Sequence, residues 1–299
     1  MRNTLAEYLV AAHYPAAARV DLLSCFDALA ATPESKPFFD WIAAYEKDKD
    51  IDFEEALDAV KDVAKDTAQN SYVVELLFFL CLIPACRHHY ENAGLPLALM
   101  EESLLDLRYK LEECRLVYGV NGSFVAFWFD RFFKLERFTF GRLQFELIRF
   151  EHTYKSGDVE LNPDDYIINV HIPRTETPLD RAACREGYRR AADFFADTVK
   201  RPVFACCSWL LHPTTIECLS ETSNIRRFAD DYTVIETRDY EEYSEMWRLY
   251  DCQVTAETDY DTLPADTSFR RGFIEQMKKG KPTGWGYGLY IPGVTGESI

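Results

Sequence analysis

Apolar residues change their spacing near Lys134, and that change limits the folds open to this chain more than any other feature. Before it, Phe53, Leu57, Val60 and Ala64 recur at helical spacing, as do Leu104, Leu107, Leu111 and Cys114. After it, Arg-Phe-Thr-Phe-Gly-Arg-Leu-Gln-Phe-Glu-Leu-Ile-Arg-Phe-Glu from Arg137 to Glu151 alternates apolar and polar residues, the period of a half-buried strand. An all-helical domain over 1–135 and a sheet-bearing domain over 136–299 follow, an α+β chain. The 299 residues suit two domains better than one core.

Local signals mark the elements. Asp52 reads as the cap of the helix carrying Phe53, and the helix through Leu111 ends near Tyr118-Gly119. Tyr72 to Ile83 reads as a buried helix, broken by Glu75 and stopped by Pro84, too short for the roughly 20 residues that cross a bilayer. After the Asn121-Gly122 turn, the aromatic run from Phe124 to Leu135 reads as another buried helix, and its default meaning is packing.

In the second half, Gly141 is the expected place for a bulge, since Phe138, Phe140, Leu143, Phe145 and Leu147 cannot share one face of a regular strand. Tyr166 to His171 reads as a strand, and Thr177-Pro178 as the start of a helix running to about Thr198. Pro202 to Leu211 reads as the next strand. Asn224 to Ile235 is expected as a strand with a turn over Thr237 to Asp239, and Tyr243 to Tyr250 as another strand of ambiguous period. Ser268 to Lys278 reads as a helix capped by Asp266 or Thr267, and Trp285 to Ile291 as the last strand. Gly284, Gly286 and Gly288 there suggest close backbone approach.

The formal net charge of −17 and the lack of a basic stripe argue against nucleic-acid and anionic-membrane partners. Nine cysteines without framework spacing, together with an N-terminus lacking a secretory signal pattern, place the chain in the cytoplasm. Cys81, Cys86, His88 and His89 do not have metal-ligand spacing, and adjacent helical histidines diverge, so no metal is expected.

Gly-Arg-Leu-Gln-Phe-Glu (141–146), Val-His-Ile-Pro (170–173), Cys-Ser-Trp-Leu-Leu (207–211) and Ser-Asn-Ile-Arg-Arg-Phe (223–228), in that order, resemble a family of bacterial acyltransferase-domain proteins. These join a helical N-terminal domain to a C-terminal domain similar to the GNAT (GCN5-related N-acetyltransferase) fold, a mixed sheet with flanking helices. The resemblance implies an acyl-CoA co-substrate, acetyl-CoA or a longer one. It also implies that the strand ending at His171 splays from its neighbour, and that the following helix start receives the coenzyme A diphosphate. The loop there, Arg174-Thr175-Glu176-Thr177, lacks the glycines usual in the family, so Arg174 and Arg181 would supply charge beside Thr175 and Thr177.

His171 and Glu146 are the candidate bases. His171 can instead be a histidine satisfied by a carboxylate, and Arg142 can pair with Glu146 rather than bind substrate. Trp209 and an inward Arg226 are further substrate-binding candidates, the latter toward a carboxylate or phosphate. Ser208 and His212 offer a hydrolase reading, which the glycine-free Cys-Cys-Ser-Trp-Leu disfavours. Of Cys206 and Cys207, strand alternation allows one to line a cleft. The leading expectation is acyl transfer from acyl-CoA to a small amine. The alternative is a catalytically silent GNAT-like domain that binds a small metabolite or protein partner. Homo-oligomerisation stays open.

Overall fold

The computed structural model describes residues 1–240, 243 and 245–294, and the chain divides into two compact units, Met1–Phe138 and Thr139–Ile299. In the first, six helices follow one another: α1 (Arg2–Ala11), α2 (Ala16–Ala30), α3 (Lys36–Lys47), α4 (Phe53–Asp66), α5 (Ser71–Asn92) and α6 (Leu97–Tyr118). Asp52 caps α4 by accepting from the N–H groups of Glu54 and Glu55, both at 3.0 Å. Gly119, at φ +70°, ends α6 in the left-handed conformation that glycine takes without a Cβ clash.

The central helix α5 packs against α1 through α4 and α6. It does not stop at Pro84 but runs through it to Asn92, giving 22 residues. By length and composition α5 could cross a bilayer; what marks it as a core helix is that Val74 through Ile83 are all buried. The aromatic run also departs from expectation, forming a 3₁₀ turn (Ala126–Phe129) and the short α7 (Asp130–Phe133). Leu135 at φ +61° closes α7, with Glu136 N–H bonded back to the Arg131 carbonyl at 2.9 Å, a Schellman-type ending.

The second unit is built on β1 (Arg137–Phe140), β2 (Leu143–Arg149), β3 (Tyr154–Ser156), β4 (Val159–Leu161), β5 (Tyr166–His171), β6 (Phe204–Ser208), β7 (Thr233–Asp239) and β8 (Gly284–Tyr290). The six-stranded sheet has the order β1-β2-β5-β6-β8-β7; β5 and β6 are parallel, while β2/β5, β6/β8 and β7/β8 are antiparallel. Gly141 is no bulge. At φ +64° it starts a two-residue turn between β1 and β2, which resolves the conflict of faces by reversing the chain.

Helix α8 (Arg181–Phe194) covers one face of the sheet, with the Tyr188 ring 5.9 Å from Phe145 and 4.8 Å from Phe204. The β3/β4 hairpin covers part of the other, packing Val159 and Leu161 with Ile167, Ala205 and Leu289. Helix α8 starts later than expected. Its cap is Asp180, whose carboxylate accepts from Ala183 N–H at 2.9 Å, and Thr177-Pro178 stays in a loop because the Thr177 carbonyl accepts from Arg142.

Four other assignments change. Ser223 accepts from Arg226 N–H at 3.0 Å and nucleates α10 (Asn224–Ala229), so a capping serine overrides the strand pattern there. The strand β7 that follows extends through Thr237–Asp239, where a turn was expected. Of the strand expected over Tyr243–Tyr250, Ser244 lies outside the described residues and Trp247–Tyr250 is the short helix α11. Ser208 accepts from Leu210 N–H at 3.1 Å, ending β6 in a 3₁₀ turn over Trp209–Leu211 before α9 (Pro213–Glu217). Helix α12 (Ser268–Lys278) is capped by Thr267, whose hydroxyl accepts from Arg270 N–H.

The 3₁₀ turn lies directly on β8. A Cβ at Gly286 would come within 2.5 Å of the Leu211 carbonyl oxygen, so only glycine fits without a backbone shift. Gly286→Ala is expected to destabilise the protein by about 1–3 kcal/mol, measured by urea unfolding; an unchanged midpoint would show that the turn gives way freely.

Candidate active site

The site begins where two strands part. β5 and β6 pair only at Ile168–Phe204 and Asn169–Ala205, after which Val170 and His171 leave the ladder on one side and Cys206 to Ser208 turn to β8 on the other. A parallel pair that opens at its C-terminal end leaves a cleft in the middle of the sheet, where backbone amide groups can meet an extended amide-bearing ligand.

On the edge of this cleft, β2 and β5 bring three polar side chains to one face. Glu146 stands directly opposite Asn169 in the register, and His171 lies two residues further along the same face. His171 Nε2 is 2.7 Å and Asn169 Nδ2 is 3.0 Å from the same carboxylate oxygen, Glu146 Oε1. Asn169 Nδ2 is also 3.1 Å from His171 Nε2, the third side of that triangle. Both nitrogens face the carboxylate as donors, which puts hydrogen on Nε2 and makes Nδ1 the nitrogen that can take a proton when the ring is neutral. The Glu146 side chain is 5% exposed and that of His171 18%, so the imidazole is the more accessible of the two.

The two candidate bases are thus one unit, with histidine outermost and glutamate orienting it. Asn169 completes the unit and was not singled out from the sequence. Its signal was there: a lone polar residue in Tyr-Ile-Ile-Asn-Val-His, spaced by two from the histidine.

Arg142 reaches the loop that follows β5. Its Nε donates to the Thr177 carbonyl at 3.0 Å and its Nη1 to the Pro173 carbonyl at 2.7 Å, so it clamps the loop after β5. Within that loop, Thr177 N–H donates to Thr175 Oγ1 at 3.3 Å and the two hydroxyls lie 3.0 Å apart. Arg174 pairs with Asp251, whose other oxygen accepts from Arg270 Nη2 at 2.8 Å. Arg181 Nη2 lies 2.6 Å from Asp231. Arg174, Thr175 and Thr177 therefore share one loop, and Arg181 stands at the start of the helix it leads to.

The other candidates lie apart from this group. Trp209 stacks on Phe269 at 6.0 Å and joins the small core of Met246, Tyr250 and Phe273. Arg226 lies on α10, not on a strand, and its Nε bonds Asp230 at 2.7 Å one helical turn away. His212 Nε2 bonds Asp239 at 3.0 Å while the Ser208 hydroxyl takes part in the turn, and no hydrogen bond joins the two among the described residues. Cys206 is buried and Cys207 exposed, as strand alternation requires. Burial, with Glu236 nearby, pushes the Cys207 thiol up to about 11. Its alkylation by iodoacetamide is therefore expected to be slow near pH 7 and to climb about tenfold per pH unit until the pKa is reached; a fast, pH-independent reaction would contradict this.

No group of three metal-ligating side chains occurs among the described residues, and His88 and His89 contact Glu91 and the Tyr45 carbonyl.

A mixed sheet opening between its parallel central strands, with a helix on one face and a loop feeding that helix from the open end, defines a GNAT-like domain. The chain belongs to the family that joins an N-acyltransferase N-terminal domain, matched over residues 3–135, to a GNAT-like C-terminal domain, matched over 138–290. Among solved structures, it resembles an acyltransferase in complex with decanoyl-CoA, at 20% identity and a TM-score of 0.72. A complex of acyltransferase with decanoyl-CoA and teicoplanin gives 21% and 0.70, and a mutant acyltransferase with octanoyl-CoA 20% and 0.71. Each alignment covers 96% of this chain and 87% of the other. No curated protein matches it in sequence.

Proposed function

We propose that this protein is an N-acyltransferase that moves an acyl group from acyl-CoA to a small amine. The observation that carries this is the Glu146–His171 pair at the open edge of β5. The acyl-CoA arm would lie in the cleft between β5 and β6, as an extended amide chain beside the strands. The neutral amine attacks the thioester carbonyl, His171 Nδ1 accepts the proton lost from nitrogen, and the C–S bond breaks to release CoA as the amide forms. Glu146 holds the imidazole in the correct tautomer and stabilises the imidazolium. Arg174 and Arg181 are the cations nearest the expected diphosphate. The resemblance to structures holding octanoyl- and decanoyl-CoA supports an acyl-CoA donor of medium length.

Calorimetric titration with acetyl-, octanoyl- and decanoyl-CoA, followed by thiol release against a panel of amines, tests the reading. Saturable binding with amine-dependent release supports it, and no binding across the series removes it.

A second reading is favoured by a specific observation. Thr175 already takes the Thr177 N–H, Asp180 takes the Ala183 N–H, and Arg174 is held by Asp251, so donors that would meet a diphosphate are engaged internally. A catalytically silent domain that binds a small metabolite or a protein would look this way. Binding of acyl-CoA without thiol release for any amine would select that reading.

A further inference from the structure

The helical unit contains a cavity of about 640 Å³ between α1, α5 and α6. Buried Leu5, Leu80, Ile83, Met100 and Leu104 form its apolar part. It follows α5 from Leu80 to His88, a run of about 12 Å at the helical rise. With Glu7, Arg87 and Glu101 exposed at its mouth, it is open to solvent on one side and long enough for one unbranched chain.

The two ends differ. At the Arg87 end, the guanidinium lies 3.5 Å from Glu101, and Tyr8 lines the wall close enough to Glu101 to feel its charge. Burial pushes the Tyr8 hydroxyl well up, and it makes no hydrogen bond to another described residue. Tyr8 is only partly buried and its hydroxyl is not sealed off, so a ligand head that bonds it takes the place of water there. Midway along the channel, Pro84 has no N–H to offer the Leu80 carbonyl, and both residues line the wall. A carboxylate head would meet Glu7, Glu101 and Glu102, and an ammonium head would meet the Arg87 guanidinium and the Met1 ammonium, which lies close enough to Cys81 to act on it. A head that donates to Glu101 and accepts from Tyr8 and Arg87 is satisfied on every side.

We propose that this cavity binds an unbranched medium-chain amphiphile with a neutral head that both donates and accepts hydrogen bonds, a primary amide or an alcohol. The chain lies along α5, with the head at Tyr8, Arg87 and Glu101. The site shares no residue with the Glu146–His171 group and does not depend on acyl transfer.

The test titrates the full-length protein with decanamide, 1-decanol, decanoate and decyltrimethylammonium at about pH 8, where decanoate is ionised. Decanamide and 1-decanol are expected to bind saturably at one per chain, with the two charged probes about tenfold weaker. Leu105→Trp, which places an indole in the channel from a half-buried position, is expected to abolish binding. Tyr8→Phe should weaken the amide and the alcohol about fivefold while leaving thermal stability in place, which keeps the test decisive if the tryptophan variant fails to fold. His171→Ala should leave all four titrations unchanged. Equal binding of all heads, persistence of binding in a folded Leu105→Trp protein, or no saturable binding by the amide and the alcohol would each overturn the proposal.

Discussion

His171→Ala is expected to slow acyl transfer by about 10²–10⁴-fold while leaving the affinity for acyl-CoA nearly unchanged, because the base acts on the acceptor and not on the donor. The side chain is the outermost member of a set anchored on one oxygen of a buried carboxylate, so its removal takes away the proton acceptor without opening the core. Raising the pH should recover part of the rate, since a larger share of the amine is then already deprotonated. Glu146→Gln keeps the shape but offers the imidazole nitrogen a weaker partner, and its loss should be smaller. Thiol release followed across pH for both variants separates these cases. A full rate in His171→Ala would remove general-base catalysis from the mechanism and leave the silent-domain reading in front.

How much of this was legible in the sequence depends on the range over which each signal acts. Asp52, Gly119 and Thr267 act within one turn of chain, and each does in the fold what its residue type foretells. Period alone also found β8 and α12, because strand and helix spacing differ over a few residues. The failures have non-local causes. Thr177-Pro178 has every mark of a helix start, yet Arg142, 35 positions earlier, holds the Thr177 carbonyl and delays the helix to Arg181. Pro84 looked like a stop, but α5 is surrounded by helices that stabilise it on both sides of the missing hydrogen bond. Asn224 to Phe228 is a different case, in which a local cap at Ser223 outweighed β-branched and aromatic content. In the site, His171 and Glu146 were visible as residue types. That they form one unit with Asn169 required the β2/β5 register, which pairs positions 23 apart.

The same non-local logic makes Arg142→Met the most damaging change expected to stability. Arg142 is 8% exposed, and its guanidinium bridges the Pro173 and Thr177 carbonyls, so the fork ties together two points four residues apart in the loop between β5 and α8. Methionine fills similar volume and leaves both carbonyls without that donor. Hydrogen bonds to a charged group contribute about 1.5–3 kcal/mol each, so a loss of about 3–5 kcal/mol is expected after the loop relaxes. Unfolding in urea measures it directly. Arg142→Lys should fall between, since an ammonium keeps the charge but lacks the planar fork that meets two acceptors at once. If the loop also holds the acyl-CoA diphosphate, binding of decanoyl-CoA to the folded fraction should weaken about tenfold in Arg142→Met, because Arg174, Thr175 and Thr177 lose their common support. Stability lost with donor affinity intact would instead mean that the loop is a structural brace, and that the donor is held by the β5/β6 cleft alone.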